Sequence, residues 1–462
     1  MSIDHALSLA SSCRQAGHLD LAQRHYRDAL ALEPGCWDAC FGLAQVLIRQ
    51  DRFDEAIGWL TPLLERPGDH AAVSRQLGLA ETCAGRHARG LAHFQRALEH
   101  DPDDAALAHT VANLQQALGL AHEADASFRR ALRLKPLVTI PAAVEPAAFR
   151  ALFVFAPGAG NTPFEFLIER AHFESNIITL LPDMAYDVDR LRIHADVVVN
   201  LVSDVDRGRA LLAPAQALVA GVGRPVVNAP AVIAQTSRDA VARQLAQMPG
   251  CHVPQTSLHD KAGLHAMLSG TSPATLPFPL LARPAGTHGG DDFERMEHAA
   301  QLLAFVDRFD AEHFYLTPYA DYQSADGYFR KYRFVYADDE ILPYHLAIGS
   351  QWKVHHATTD MAHHAWMQDE ERAFLDDPWQ VFGTAQRDGL QAIRDAIGLD
   401  YFGIDCGLDR DGAVVVFEVN ASMLVHGNNA SFPYKTVAVE RIRQAFHALL
   451  ARRAAAVPRD AS

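Results

Sequence analysis

The sequence predicts a two-part chain, an all-helical repeat solenoid over residues 3–136 followed by an α/β region over the remainder. Two observations carry this. A gapless period of 34 residues runs through the first part, and beyond Pro136 it gives way to short apolar runs alternating with helical stretches. A third observation, a hairpin that sets two carboxylates face to face, turns the question from fold to chemistry.

The repeats begin near Ile3, Trp37, Ala71 and Ala105. A small residue of the second helix recurs as Ala22, Ala56, Gly90 and Ala124, and four residues later comes Tyr26, Leu60, Phe94 or Phe128. Gly17, Asp51, Gly85 and Gly119 mark the turn inside each helix pair, where a tight reversal favours Gly or Asp. Pro34, Pro67, Pro102 and Pro136 close the copies, Pro67 one place out of step. Four in-register copies resemble the tetratricopeptide repeat. That resemblance implies stacked helix pairs and a concave groove for a peptide or protein segment, with self-association as the alternative use. Cys36 and Cys40 lie one helical turn apart, but no second pair completes a zinc site, so they read as buried thiols.

Residues 137–149, rich in Pro and Ala, read as a linker. Apolar runs at 151–156, 175–181, 196–201 and 225–228 predict strands of a mostly parallel sheet, a small α/β unit over 150–232. Its PGAGN turn (157–161) lacks the GK[ST] ending of a phosphate loop and reads as a strand-to-helix turn. A helix is expected over 236–247 and a strand over 252–256. An apolar strand bearing Arg283 then runs into a loop with Gly286, Gly289 and Gly290, where backbone N–H groups can approach phosphate. Two to three strands follow in 313–348. Alternation in RKYRFVY puts Lys331 and Arg333 on one face, a costly pairing unless an anion or acidic neighbour meets it.

The segment 398–422 carries most information. Asp411-Gly412 between two apolar runs predicts a two-residue hairpin turn. Counting back from it sets Asp405 opposite Glu418, with Asn420 on the face of Glu418. Two opposed carboxylates repel, so a Gln at 418 should relieve the metal-free protein and raise its stability. A divalent cation resolves the conflict, and Asp, Glu and Asn oxygens suit Mg2+.

The order Arg-bearing strand, Gly-rich loop, Lys/Arg strand and Asp-x12-Glu-x-Asn hairpin resembles the ATP-grasp superfamily. The GID…FEVN segment is similar to that of D-alanine–D-alanine ligase-like and RimK-like members. The resemblance covers about residues 150–450. It implies a preATP-grasp subdomain over 150–232, an ATP-grasp domain of two α+β subdomains over 233–455, and a disordered tail over 456–462. Asp405, Glu418 and Asn420 would hold two Mg2+ ions, or Mn2+ in their place, that bridge the phosphates of ATP. Arg283 would touch phosphate where most members carry Lys. Gly286, His288, Gly289 and Gly290 would belong to the mobile loop closing over the triphosphate. Arg238 stands where relatives often have an Asp-Lys pair, and Lys331 where RimK-like proteins often have Asp; both are taken as nucleotide-binding cations. Arg333 fits the family arginine that stabilises the transferring phosphoryl group. Tyr315 and Thr317 would lie by the strand that receives adenine.

The resemblance implies a carboxylate–amine ligase working through an acyl phosphate, with a small-molecule amine or carboxylate as co-substrate and a peptide or protein held by the repeats. A ligase of small molecules whose repeats serve only assembly, and a non-catalytic ATP-binding scaffold, are the competing readings. Lys353, His355 and His356, in the polar and aromatic stretch 350–371, are candidates for an anionic substrate, with a surface loop as the alternative. The His355-His356 and His363-His364 pairs do not suggest zinc, because adjacent side chains point apart on a strand. A net charge of -15 argues against a nucleic-acid enzyme. No apolar run reaches the ~18 residues of a membrane span. The start lacks a signal-peptide pattern, so a cytoplasmic protein is expected.

Overall fold

The computed structural model describes residues 2–158, 160–269, 276–287, 290, 292–355, 359–427 and 429–456. The chain divides into two compact units, Met1–Leu137 and Val138–Ser462.

The first unit is four helix pairs: α1 (Ile3–Gln15) with α2 (Leu19–Leu32), α3 (Trp37–Arg49) with α4 (Phe53–Leu60), α5 (His70–Cys83) with α6 (His87–His100), and α7 (Ala105–Ala117) with α8 (Ala121–Leu134). Gly17, Asp51, Gly85 and Gly119 all take the left-handed conformation that the turns require, with φ from 60° to 80°. Ala22, Ala56 and Ala124 are fully buried. Gly90 replaces them in the third pair because a Cβ there would come within 2.2 Å of the Thr82 Oγ1 and 3.0 Å of the Gly78 carbonyl. The second pair departs from the period in one respect: α4 stops after eight residues and continues as a 3-10 turn, Thr61–Glu65. Pro62 lacks the N–H that the next helical turn would need and crowds the preceding carbonyl. Cys36 and Cys40, at the start of α3, are buried free thiols.

In the second unit a first sheet has the order β1-β3-β2-β4-β5. Its strands are β1 (Val138–Ile140), β2 (Arg150–Phe155), β3 (Glu174–Thr179), β4 (Val197–Asn200) and β5 (Val226–Val227), linked by α9 (Val188–Ile193) and α10 (Val205–Val222). β2 to β5 are parallel, as expected. The expected linker is a correction: β1 pairs antiparallel with β3, and Ala143 and Ala148 bond backbone to backbone with Ala171 and His172. The Pro/Ala composition hid three β-forming residues, Val138, Thr139 and Ile140, whose pairing covers a sheet edge. The PGAGN turn is closed by Asn161, whose side chain bonds both the N–H and the carbonyl of Ala156. That is a structural turn.

After α11 (Pro230–Ile233), α12 (Arg238–Gln244) and a two-residue strand β6 (Cys251–His252) comes a second, antiparallel sheet. It contains β7 (Ser257–Asp260), β8 (Leu280–Pro284), β9 (Glu294–Met296) and β10 (His313–Pro318), in the order β7-β10-β8-β9, with α13 (Lys261–Leu268) and α14 (Ala299–Arg308). The strand expected over 252–256 is instead mostly the bend between β6 and β7. A third sheet, β12-β11-β13-β14-β6, is built from β11 (Phe329–Ala337), β12 (Glu340–Gly349), β13 (Tyr401–Leu408) and β14 (Val414–Asn420). It is flanked by α15 (Ala365–Asp376), α16 (Thr384–Ile397) and α17 (Thr436–Ala455). The first and third sheets share one core, in which Phe153, Val335, Tyr401 and Phe446 meet, while the second sheet closes its own around Phe305 and Phe314. The region is thus mixed α/β with several sheets.

The pairing of β1 sets a boundary that can be tested. A fragment starting at Val138 should melt cooperatively, whereas one starting at Val144 loses β1 and should melt lower by several degrees. Equal melting temperatures by circular dichroism would show that β1 contributes nothing.

Candidate functional site

One row of side chains crosses the third sheet. His345 on β12 faces Arg333 on β11, Arg333 faces Asp405 on β13, and Asp405 faces Glu418 on β14. Residues directly opposite in antiparallel strands share a face, so these four point the same way.

The opposition of Asp405 and Glu418 is reached by a different route from the one expected. The loop has three residues rather than two: Asp409 N–H donates to the Ala413 carbonyl, Gly412 N–H donates to the Asp409 carbonyl, and Gly412 has φ 80°. This loop shifts the pairing by one, to Leu408 with Val414 and Cys406 with Val416. A bulge at Phe417 then shifts it back. Without that bulge Phe417 would face Asp405, and Glu418 would point to the opposite side of the sheet.

A second correction concerns charge. The two carboxylates are not left to repel each other. Arg333 binds Asp405 through Nε (2.5 Å) and Nη2 (2.8 Å), and Lys331 Nζ lies 3.2 Å from the same group. Arg238, the first residue of α12, holds Glu418 at 2.6 Å. Burial works to raise both carboxyls, but the charges of Arg333 and Lys331 on Asp405, and chiefly of Arg238 on Glu418, leave both below the ordinary range. The face shared by Lys331 and Arg333 therefore meets an acidic neighbour, and neither side chain is on open surface.

Arg283 approaches from the second sheet, where it pairs with Tyr315 across β8 and β10. It is 7% exposed, bonds Thr287 and lies over the Phe293 ring. Burial, helped by the charge of Arg238, lowers its pKa to about 10. The Tyr315 hydroxyl donates to Asp206 (2.8 Å), and the other oxygen of Asp206 accepts from Gly286 N–H (3.2 Å). Thr317 meets Thr256 hydroxyl to hydroxyl at 2.9 Å. Asn420 Oδ1 accepts from Ser422 N–H at 2.7 Å. Gly286 and Gly290 both take positive φ, while His288 and Gly289 lie outside the described residues, as does His356. Lys353 is directed to the Phe293 carbonyl (2.9 Å), beyond the Gly-rich loop.

The structure therefore brings Arg238, Arg283, Lys331, Arg333, Asp405, Glu418 and Asn420 to one locality, and a cavity there is lined by Ser203, Asp206, Ser237, Arg238, Glu418 and Asn420. Asp405, Glu418 and Asn420 offer hard oxygen donors that could hold a divalent cation, although no group of three or more His, Cys, Asp or Glu is placed to hold a metal among the described residues. The cations around them could receive a polyphosphate.

Asp206 was not legible as a site residue. In DVDRGR it reads as an acidic residue of a helix's first turn, and only the fold carries it to Tyr315 and Gly286. A buried cluster was missed as well. Glu371 on α15 accepts from His345 Nδ1 (2.7 Å), Lys435 Nζ (2.9 Å), Leu346 N–H (3.1 Å) and the Tyr434 hydroxyl (2.5 Å). In the acidic run QDEER nothing marks Glu371 as the buried member.

This cluster has a pH signature. Burial, with Lys435 and Arg333 nearby, holds His345 down to about 4 against the pull of Glu371. Burial works to raise Glu371, and its donors overcome that to leave it at about 2. The unfolded chain therefore binds the His345 proton first as pH falls from 6.5 to about 4, and the Glu371 proton from 4.5 to about 2. Stability declines with acidification through both windows. The melting temperature should fall below pH 6.5, and His345→Gln should remove the upper part of that slope alone. An unchanged slope in the variant would refute the assignment.

Among the described residues no helix is long and apolar enough to cross a membrane. No curated protein matches the chain. Solved structures similar to part of it include MamA AMB-1, 23% identical, covering 29% of this chain and 79% of that one with a TM-score of 0.28. MamA 41-end from Desulfovibrio magneticus RS-1 is 17% identical over 29% and 76%, also with a TM-score of 0.28. The family model that matches is the tetratricopeptide repeat, over residues 14–77, so the N-terminal unit carries a tetratricopeptide repeat.

Proposed function

We propose that the second unit is a Mg-ATP-dependent carboxylate–amine ligase of ATP-grasp type, and that the repeats recruit a peptide or protein substrate. The observation that carries this reading is the convergence of Arg238, Arg283, Lys331 and Arg333 on Asp405 and Glu418 beside a cavity. Four cations around two opposed carboxylates form a costly arrangement for structure alone, because burying ion pairs seldom adds net stability.

In this reading Asp405, Glu418 and Asn420 hold Mg2+, which when bound offsets phosphate charge. A substrate carboxylate oxygen attacks the γ-phosphorus of ATP, its bond to the bridging oxygen breaks, and ADP leaves. Arg283 and Arg333 stabilise the charge spread over the transferring oxygens. An amine then attacks the acyl carbon, phosphate departs, and the nitrogen loses its proton. Arg238 and the Gly-rich loop position the triphosphate, and Tyr315 with Asp206 fixes the base of that loop.

The test is to incubate the full-length protein with Mg-ATP, a series of small carboxylates and hydroxylamine. ADP release matched by hydroxamate supports the ligase. Nucleotide binding without ADP under any condition would leave the non-catalytic scaffold as the better reading.

Recruitment by the repeats is tested separately. Tethering raises the local concentration of a bound segment to about mM. The fragment starting at Val138 should therefore show a steeply higher KM for a peptide substrate and an unchanged ATP affinity. An unchanged peptide KM would assign the repeats to assembly.

A further inference from the structure

The oxygen donors of the site are held by side-chain cations in unequal measure. Glu418 has one, Arg238, at 2.6 Å. Asp405 has two, Arg333 through a two-point contact and Lys331 at 3.2 Å. A divalent ion can take both oxygens of Glu418, or either oxygen of Asp405, only by displacing these groups. The local charge balance does not favour such entry. Arg238, Arg283, Lys331 and Arg333 match Asp204, Asp206, Asp405 and Glu418 in number, so the carboxylates carry no excess negative charge to draw in a lone cation. A triphosphate tips that balance to the negative side. It offers the planar guanidinium groups two-point partners at least as good as a carboxylate, and so frees the carboxylates for metal.

We propose that these ion pairs form an electrostatic gate, in which metal enters only as a polyphosphate draws the arginines away, and that Lys331 makes the entry sequential, with the first ion at Glu418 and Asn420 and the second at Asp405. The inference rests on the ligase reading and specifies how its metal site is loaded. Arg238 opens α12, on a different element from the hairpin, and itself lines the cavity in which a phosphate would sit. Arg333 and Lys331 rise from the same strand beside Asp405. Releasing Arg333 alone leaves the ammonium in place, and Asp405 is therefore the later and weaker site. Lys331 is thereby a residue that sets the affinity of the second ion.

The experiment is a Mn2+ titration of the full-length protein followed by electron paramagnetic resonance, with and without the non-hydrolysable analogue AMP-PNP. A protein-free titration corrects for Mn2+ held by the analogue in solution, and calorimetry in the same buffer measures analogue binding. The wild type should bind Mn2+ at least ten-fold more weakly without the analogue, and with it should bind two ions of unequal affinity. Lys331→Met should tighten the second ion about ten-fold and leave the first unchanged; Lys331→Gln is the alternative if the Met variant does not fold. Arg238→Met should let one Mn2+ bind without the analogue. Equal Mn2+ affinity with and without AMP-PNP, or a second ion indifferent to Lys331, overturns the gate while nucleotide binding upholds the parent reading. Absence of AMP-PNP binding altogether overturns both.

Discussion

Replacing Glu418 by Gln is expected to lower Mg-ATP-dependent turnover on the order of 10²–10³-fold, the size of loss seen when one fixed electrostatic partner of a transition state is removed. Gln keeps the shape of the side chain, so the β13–β14 pairing and the Phe417 bulge persist. What it removes is the charge. In the metal-free protein that loss is also felt by Arg238, whose partner becomes a neutral amide. Both side chains are partly exposed, so the cost is about 1–3 kcal/mol, that of a weakened hydrogen bond to a charged group. The melting temperature should fall by a few degrees. The sequence alone suggests the opposite sign, because it shows two carboxylates in opposition and not the arginines that meet them. Circular dichroism and an ADP-release assay on the same preparation decide both points, and undiminished turnover would remove this hairpin from the active site.

Arg333→Met should lower kcat by a similar factor while changing KM for ATP far less. A group whose contact strengthens as the phosphoryl transfers acts on the rate more than on binding. The fold should survive, since Lys331 remains to meet Asp405. Arg333→Lys should recover only part of the loss, because an ammonium supplies the charge without the planar fork. Arg283→Met is the comparison. Equal losses in both variants, confined to KM for ATP, would make the two arginines simple nucleotide-binding groups.

Much of the organisation was legible because it depends on local chemistry. The repeat turns need left-handed residues, and Gly17, Asp51, Gly85 and Gly119 supply them. Alternation along β11 placed Lys331 and Arg333 on one face, and both meet Asp405. The strand β1 was not legible, since three residues in a Pro-rich stretch become a strand only when β3 offers a partner. His345, Glu371, Lys435 and Asp206 were missed for a related reason. Each looks like an ordinary polar residue of its own element, and its partners lie from 25 to 109 positions away in sequence.

The hairpin divides the two kinds of information most sharply. The sequence by itself determined that two apolar strands reverse near Gly412, and that Asp405, Glu418 and Asn420 fall close to one another on them. Turn chemistry and period-two alternation are properties of neighbouring residues. Only the tertiary structure decided which face Glu418 presents, because a three-residue loop and a bulge at Phe417 each shift the register by one and cancel. It also decided what neutralises the pair: Arg238 comes from a helix 180 residues upstream and Arg333 from a strand 72 residues upstream. Coulomb attraction acts through space, and the distances over which it counts here, under 4 Å, exist only once the sheets are folded.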